Sequence, residues 1–232
     1  MLVCVMLGLV SVSPAIAGHH EAVLQVVAVD VKPGKLEDYQ KEVRKLQAIL
    51  KRLGSKATMR MWSNTQGGPA TGTILVGLEF ANVEAWASDS AKFQADEEWE
   101  DILGNLHKLR TLEGSSIWTD ISPNASECGG SVLIVTSVSV NPGKLEAYRQ
   151  ELAKLAAINK RLGSTARIRT WHATLAGPNT GNVAVGAEYK DLATYVNEQA
   201  KVSADAEWQG ILKGLDSIRT LDARSLYQEI TP

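Results

Sequence analysis

The sequence is poor in the residue types on which several functions depend. Its 232 residues include only two cysteines, four histidines and two phenylalanines. Because Cys4 lies in the N-terminal apolar run, removal of that run leaves Cys128 as the only cysteine, and an intrachain disulfide is then excluded. Cys128 is a free thiol, a link between two chains, or a small residue tolerated in a linker. We favour the linker interpretation.

The chain also lacks an excess of charge of either sign. Its 24 lysines and arginines and 26 aspartates and glutamates give a net charge of −2, and the basic residues are spread along amphipathic segments. Proteins that bind nucleic acid or anionic membrane surfaces carry a concentrated basic patch. We therefore expect no nucleic-acid partner.

Familiar catalytic and phosphate-binding motifs are absent from the sequence. It contains no G-x-S-x-G, no Walker loop, no H-E-x-x-H and no paired C-x-x-C. The glycine-rich segments at Gly67 and Gly177 join two predicted strands and precede no helix, so neither is expected to form a phosphate loop. The sequence motifs therefore do not identify a reaction.

One long apolar run is present, at the N-terminus. Residues 1–17 are uncharged and end in Ala15-Ile16-Ala17, the small-x-small pattern of a secretory cleavage site. The run is short for a bilayer span, which needs about 20 apolar residues. We predict a cleaved signal peptide, a secreted or periplasmic protein, and no stable membrane anchor after cleavage. A buried N-terminal strand or helix is the alternative, since no Lys or Arg precedes the run.

Cleavage after Ala17 would create a new N-terminus with the sequence Gly18-His19-His20. A terminal amine, two backbone amides and a histidine at the third position can bind Cu(II) or Ni(II) in square-planar geometry. His19 and His20 are candidate metal ligands on that ground, and a polar tail without metal is the alternative. We expect no cofactor in the rest of the chain.

The remainder of the chain is a tandem duplication. Residues 22–123 align with residues 131–232 at a constant offset of 109 without a gap, and 47 of the 102 aligned pairs are identical. Identity at this level shows that one structural unit occurs twice. The predicted organisation is a signal peptide (1–17), a first repeat (18–123), a linker (124–130) and a second repeat (131–232).

Each copy predicts the same order of elements. In the first copy, 23–31, 57–62, 73–80 and 116–121 have the composition or alternation of strands. Apolar residues spaced by three and four predict an amphipathic helix over 35–53, which ends at Gly54. Residues 82–109 predict a second helix, broken near 93–95, with Asp96 as a new N-cap. This β-α-β-β-α-β order is the ferredoxin-like unit of the α+β class.

The element order, together with the run from the first strand through PGKLEDY or PGKLEAY into the first helix, resembles the dimeric α+β barrel superfamily. This superfamily includes antibiotic-biosynthesis-monooxygenase-like and NIPSNAP-like proteins. The resemblance implies that the two repeats form an intramolecular barrel, which would make the chain a monomer with an internal pseudo-dimer. It also implies oxidation chemistry in the interior. The haem-degrading relatives commonly carry a histidine near the start of the second helix, which residues 84–89 and 193–198 lack, so we do not expect haem.

Strand alternation gives the candidate site. If one face of each sheet lines the barrel, aromatic walls and converging charges would form a small-ligand pocket. There an arginine could bind a carboxylate, and Glu79 or Glu188 could act as a base. Alternatively, Arg60 with Glu79 and Arg169 with Glu188 are neighbouring-strand ion pairs in a filled barrel. The candidates are Arg60, Trp62, Glu79 and Trp118 in the first repeat and Arg169, Trp171, Glu188 and Tyr227 in the second.

The sequence therefore predicts an exported α+β barrel that binds a small molecule of unknown identity. A cofactor-independent oxygenase or isomerase is one alternative, and a structural or interaction module with a filled barrel is another. Unpaired arginines beside open space favour binding, and a desolvated glutamate facing open space favours an enzyme. Mutually paired arginines and glutamates in a packed interior favour the structural module.

Overall fold

A computed structural model of the chain describes residues 21–122 and 129–231. The predicted signal peptide, the candidate metal ligands His19 and His20, and Cys128 lie outside the described residues. The first repeat consists of β1 (Val23–Val31), α1 (Leu36–Arg52), β2 (Thr58–Gln66), β3 (Ile74–Phe80), α2 (Val83–Gln94), α3 (Glu97–Leu109) and β4 (Arg110–Asp120). The second consists of β5 (Val132–Val140), α4 (Leu145–Arg161), β6 (Arg167–Leu175), β7 (Val183–Tyr189), α5 (Leu192–Ala204), α6 (Ala206–Leu215) and β8 (Arg219–Ile230).

The repeated β-α-β-β-α-β order is confirmed, and so is the break in the second helix. Gly54 follows α1 with φ of +71°, the left-handed conformation that suits glycine at a helix end. Asp96 begins α3, and its carboxylate accepts a hydrogen bond from the backbone N–H of Trp99 at 3.0 Å. The helix breaks there because Asp96 caps a new first turn.

The last strand of the repeat is longer than the pattern predicts. β4 begins at Arg110, six residues before the predicted start at residue 116, and pairs with β1 along its length through a bulge at Ala28 and Val29. Residues 111–113 are exposed, so they show no apolar alternation that would mark them as a strand. Backbone hydrogen bonding to β1 holds them without burial of their side chains.

The eight strands form one closed antiparallel barrel in the order β1-β3-β2-β8-β5-β7-β6-β4. Two seams join the repeats, where β2 pairs with β8 and β4 pairs with β6. If the two repeats exchange places, each strand takes the position of its equivalent in the ring and keeps its direction. The pseudo-twofold axis that relates the repeats therefore lies along the barrel axis. The predicted intramolecular barrel is confirmed, and closure leaves no free sheet edge.

The helices cover the outer face of the barrel and pack unequally in the two repeats. Under the helices of the first repeat lie Met61 and Leu78, which are 0% and 7% exposed. Their equivalents in the second repeat are Thr170 and Ala187, which fill less volume. Among the helices of the described residues, none is long and apolar enough to cross a membrane.

Substituting Met61 with alanine should lower the free energy of unfolding by about 3 kcal/mol, because truncation leaves a cavity in a tightly packed core. Leu36→Ala is the matched control, since Leu36 is 43% exposed and its loss should cost less than about 1 kcal/mol. Urea unfolding of both variants measures the difference. Equal losses would contradict the assignment of Met61 to the core.

Candidate functional site

The eight candidate residues lie on the inner face of the barrel. They alternate along their strands with outer-face residues such as Met59, Met61 and Leu78, which belong to the core under the helices. The aromatic members Trp62, Trp171 and Tyr227 are 6%, 8% and 9% exposed. The structure therefore brings all eight into one enclosed space, where they form two groups related by the pseudo-twofold axis.

The first group is organised by Arg60. Its Nε donates to Glu229 Oε1 at 2.7 Å, its Nη1 to Glu188 Oε2 at 2.9 Å and its Nη2 to the carbonyl oxygen of Gly130 at 2.9 Å. The guanidinium carbon lies 4.3 Å from the centre of the Trp62 ring, within cation–π distance. Every nitrogen of the Arg60 guanidinium thus has an internal acceptor.

The second group repeats this arrangement around Arg169. Its Nη1 donates to Glu79 Oε1 at 2.6 Å, and its Nε and Nη2 donate to Asp120 Oδ2 at 3.0 and 2.5 Å. The guanidinium carbon lies 4.2 Å from the centre of the Trp171 ring. Arg169 is 8% exposed, so its charge is neutralised inside the protein and not by solvent.

The alternative in which each arginine pairs with the glutamate of its own repeat is wrong in its choice of partners. Across β2 and β3, Glu79 faces Thr58 and Arg60 faces Gly77, so Arg60 and Glu79 are not opposite each other. Arg60 lies on β2 and contacts Glu188 on β7. Two strands, β8 and β5, lie between β2 and β7 in the ring. Each arginine therefore reaches across the barrel and joins the two repeats.

Glu188 is held in its ionised form. It accepts hydrogen bonds from the backbone N–H groups of Gly129 and Gly130 at 2.9 and 3.0 Å, in addition to its contact with Arg60. Burial raises the pKa of Glu188, but the Gly130 amide, Arg60 and the Gly129 amide outweigh burial and lower it below the ordinary value. A carboxylate with a lowered pKa is a weak base, which argues against Glu188 as a catalytic base.

Arg60 and Arg169 are held equally firmly in their charged forms. Burial acts to lower the pKa of each guanidinium, but hydrogen bonds and charge interactions with their two carboxylates raise it above the ordinary value. Each group contains one guanidinium and two carboxylates and has a net charge of −1, so together the two groups contribute −2. Arg167, which lies opposite Glu188 on β6, adds a positive charge at the same end of the barrel.

Two further acidic residues belong to these groups but were not among the candidate residues. Asp120 and Glu229 occupy equivalent positions at the ends of β4 and β8, two residues after Trp118 and Tyr227, so strand alternation places them on the same face. That repeated alternation was the signal that could have identified them. Gly130 has no comparable signal, since its carbonyl and amide contribute only through the folded backbone.

Small residues and larger aliphatic residues share the inner face of the barrel, and two of the small ones, Gly77 and Gly186, lie opposite Arg60 and Arg169. On β3, Val76 and Leu78 on the outer face are 5% and 7% exposed, whereas Leu75 and Gly77 on the inner face are partly exposed. Helices cover the outer face, so this exposed area opens into the barrel. The small inner residues are Ala28, Gly77, Gly114 and Ser116 in the first repeat and Ser137, Ala184, Gly186, Ala223 and Ser225 in the second.

We call the space bounded by the small side chains and by Trp62 and Trp171 the inner chamber. The interior of an eight-stranded barrel is wide enough to be filled by side chains or to hold one small ligand. Glycine, alanine and serine fill little of it, but Leu24, Val26, Leu75, Leu133 and Val135 lie on the same face. The two ion-pair groups lie at the end of the barrel where β1 begins, and polar side chains occur at the opposite rim, where Thr73 donates to Asp30 at 3.1 Å.

The two seams between the repeats contain complementary inner-face pairs. Trp118 lies opposite Ala173 at the β4–β6 seam, and Tyr227 lies opposite Asn64 at the equivalent β2–β8 seam. Tryptophan faces the small alanine at the first seam. At the second seam the smaller aromatic residue, tyrosine, faces the larger asparagine. Ala173 and Asn64 are 0% and 1% exposed, and burial raises the pKa of Tyr227.

Three solved structures show how widely this fold occurs. One, named as a putative monooxygenase from Fusobacterium nucleatum subsp. nucleatum, has a TM-score of 0.62 and 12% identity, over 91% of this chain and 94% of that chain. An anthrone oxidase-like protein has a TM-score of 0.59 and 11% identity, over 91% and 92%. A mutant chlorite dismutase from Candidatus Nitrospira defluvii has a TM-score of 0.56 and 10% identity, over 93% of both chains.

These matches confirm the predicted resemblance at the level of the fold, which is the tandem α+β barrel found in monooxygenase-like and chlorite dismutase structures. Identities near 10% show the fold alone and assign no activity. No family model matches the sequence, and no curated protein matches it.

Haem ligation by a histidine near the start of the second helix does not fit this chain. The first turns of α2 and α5 carry Glu84, Trp86, Thr194 and Tyr195, none of which is a histidine. Within residues 21–122 and 129–231, no group of three or more His, Cys, Asp or Glu could hold a metal ion.

Replacing Glu188 with glutamine should lower the free energy of unfolding at pH 7 by about 3 kcal/mol, because Arg60 loses a buried anionic partner. The pKa of Glu188 is below its ordinary value of 4.5 in the folded state, so its ionised form stabilises the fold above about pH 4.5. That stabilisation is lost as the pH falls through the lowered pKa. The variant should therefore lose less stability than the wild type on acidification.

Urea unfolding between pH 7 and pH 3 measures this difference. Asp101→Asn, which removes a charge from an exposed position on α3, is the control and should follow the wild-type pH profile. If Glu188→Gln and the wild type lost stability in parallel, the ionised carboxylate would not be a stabilising element.

Proposed function

We propose that the protein is an exported binding protein that holds one small, uncharged and largely apolar molecule in the inner chamber. The observation that carries this proposal is the partial exposure of Leu75 and Gly77 on the inner face of a closed barrel, where small residues lie among larger aliphatic ones. Concave sites with apolar walls and a few polar groups are the usual form of ligand pockets.

The electrostatics of the interior favour a neutral ligand. Both arginines already have carboxylate partners, and each ion-pair group has a net charge of −1. A ligand carboxylate would have to displace Glu188 or Glu229 from Arg60, and that displacement would leave a buried charge unpaired. Recognition of a carboxylated ligand by these arginines is therefore not part of the proposal.

Two aromatic walls favour a flat ligand. Trp62 and Trp171 are each covered on one side by a guanidinium, and Trp118 and Tyr227 stand on the neighbouring strands. Aromatic rings in a dry site bind other rings through stacked or edge-to-face contacts. We therefore propose an aromatic ligand of about the size of one or two fused rings.

A structural role is supported for one end of the barrel. The mutual pairing of Arg60 with Glu188 and of Arg169 with Glu79 is the arrangement expected of a structural module. These ion pairs link the two repeats inside the barrel. The ligand would bind in the inner chamber beyond them. Oxygenase chemistry, suggested by the names of two structures with the same fold, has less support because Glu188 is not poised as a base.

Filling the chamber should abolish binding without disturbing the fold. Ala184→Leu places on the inner face of β7 the residue that Leu75 provides at the equivalent position of β3. The wild type should bind 1-naphthol, a neutral two-ring probe, with a Kd on the order of 0.1 mM. The variant should bind it at least about tenfold more weakly, because leucine occupies the ligand space. Equilibrium dialysis measures both.

Ala187→Leu is the matched control for Ala184→Leu. It makes the same change three residues along β7, on the outer face under the helices, and copies Leu78 of the first repeat. It should leave 1-naphthol binding unchanged. If 1-naphthol fails to bind the wild type, or if both variants lose binding equally, the inner chamber is not the ligand site.

Export is the second part of the proposal, and it is supported by the apolar run with its Ala15-Ile16-Ala17 ending. Native mass spectrometry of protein recovered from its own export compartment should give a mass that begins at Gly18. An added small-molecule mass would identify the natural ligand. A mass that still includes Met1 would overturn the proposal of export while leaving the chamber to be tested separately.

A further inference from the structure

A second cavity lies outside the barrel, at the seam between the repeats. It has a volume of about 580 Å³ and lies between the start of α2 and the β4–β6 pair. Its apolar wall includes Leu175 and Val83, which are 63% and 53% exposed, together with Trp86 and Ile117. We call it the seam cleft. Its volume falls within the usual range of small-molecule sites, about 300 to 1,000 Å³.

The charge of the seam cleft has one sign. Glu21 and Glu84 contribute carboxylates to its lining, whereas no lysine or arginine of the described residues does so. Two carboxylates beside an apolar wall with a tryptophan favour a cation, since tryptophan is the aromatic side chain that binds cations best. Glu84 also lies in the first turn of α2, where it stabilises the helix, but Glu21 has no such helical role.

The duplication places an equivalent region at the other seam, where several of these residues differ. There Glu84 is replaced by Ala193, Trp86 by Tyr195 and Leu175 by Gln66. Glu21 is replaced by Gly130, where a side chain would meet the Tyr189 backbone at 2.3 Å. Asp191 replaces Asn82, so the other seam carries one carboxylate where the seam cleft carries two.

We propose that the seam cleft binds a small organic cation that has an amine and an apolar body. The amine would lie near Glu21 and Glu84, and the apolar body would cover Leu175 and Val83. This site is separate from the inner chamber and holds a ligand of different charge.

Three probes that share one apolar ring and one ether oxygen separate these requirements. They are 2-phenoxyethylamine, which is cationic at pH 7, 2-phenoxyethanol, which is neutral, and phenoxyacetate, which is anionic. The amine should bind with a Kd of about 1 mM, the alcohol about threefold more weakly, and the carboxylate not measurably. Titration of ¹⁵N-tryptophan-labelled protein, with the Trp86 signal assigned through Trp86→Tyr, should shift the Trp86 indole resonance.

Variants copied from the other repeat test the site without introducing residues that are new to the fold. Glu84→Ala should weaken amine binding about threefold and remove most of the preference over the alcohol. Leu175→Gln should weaken both probes about tenfold, because apolar contact area is lost. Glu113→Gln, the same loss of charge at an exposed position of β4, is the control and should bind like the wild type.

Equal binding of the three probes would overturn the proposal, and so would a shift of another tryptophan in place of Trp86. Unchanged amine affinity in both Glu84→Ala and Leu175→Gln would also overturn it. The inner chamber variant Ala184→Leu should bind the amine normally. Failure of 1-naphthol to bind would therefore leave the seam cleft intact, and failure of the amine would leave the chamber intact.

Discussion

The fold depends most on two arginines that cross the barrel. Arg60 and Arg169 each leave their own sheet and bind carboxylates on the other repeat, so the two sheets are joined by ion pairs as well as by backbone seams. A buried guanidinium needs two acidic partners and a flat ring to replace its water shell, and each repeat supplies these to the other. In each repeat the arginine lies opposite a glycine on the neighbouring strand, and its carboxylate partners come from the other repeat.

The inner chamber follows from this arrangement. The ion pairs and their tryptophans occupy one end of the barrel, and the inner face beyond them combines small residues with Val26, Leu75 and Val135. Arg60 and Arg169 already have carboxylate partners, so an anionic ligand would have to compete for them. Shape and aromatic contact remain as the means of recognition. The seam cleft differs from the inner chamber, because it is open and its charged lining residues are acidic.

The sequence predicted the organisation well because duplication and hydrophobic period are local signals. The strand at 23–31, the Gly54 helix end and the Asp96 cap all depend on neighbouring residues, and the structure confirms them. The partners of Arg60 depend on which strands meet across the ring, which alternation within one repeat cannot show. The early start of β4 was missed because exposed residues pair through their backbone. The seam cleft was not predicted, since its wall combines α2 with strands of both repeats.

The complementary pairs at the two seams have an evolutionary consequence. Trp118 fits because Ala173 faces it, and Tyr227 fits because Asn64 faces it. Two copies of the first repeat would place tryptophan against asparagine and overfill both seams, whereas two copies of the second would place tyrosine against alanine and leave voids. Each repeat is therefore expected to pair better with the other than with a second copy of itself. The two halves of this chain have become a matched pair of different partners, although both descend from one unit.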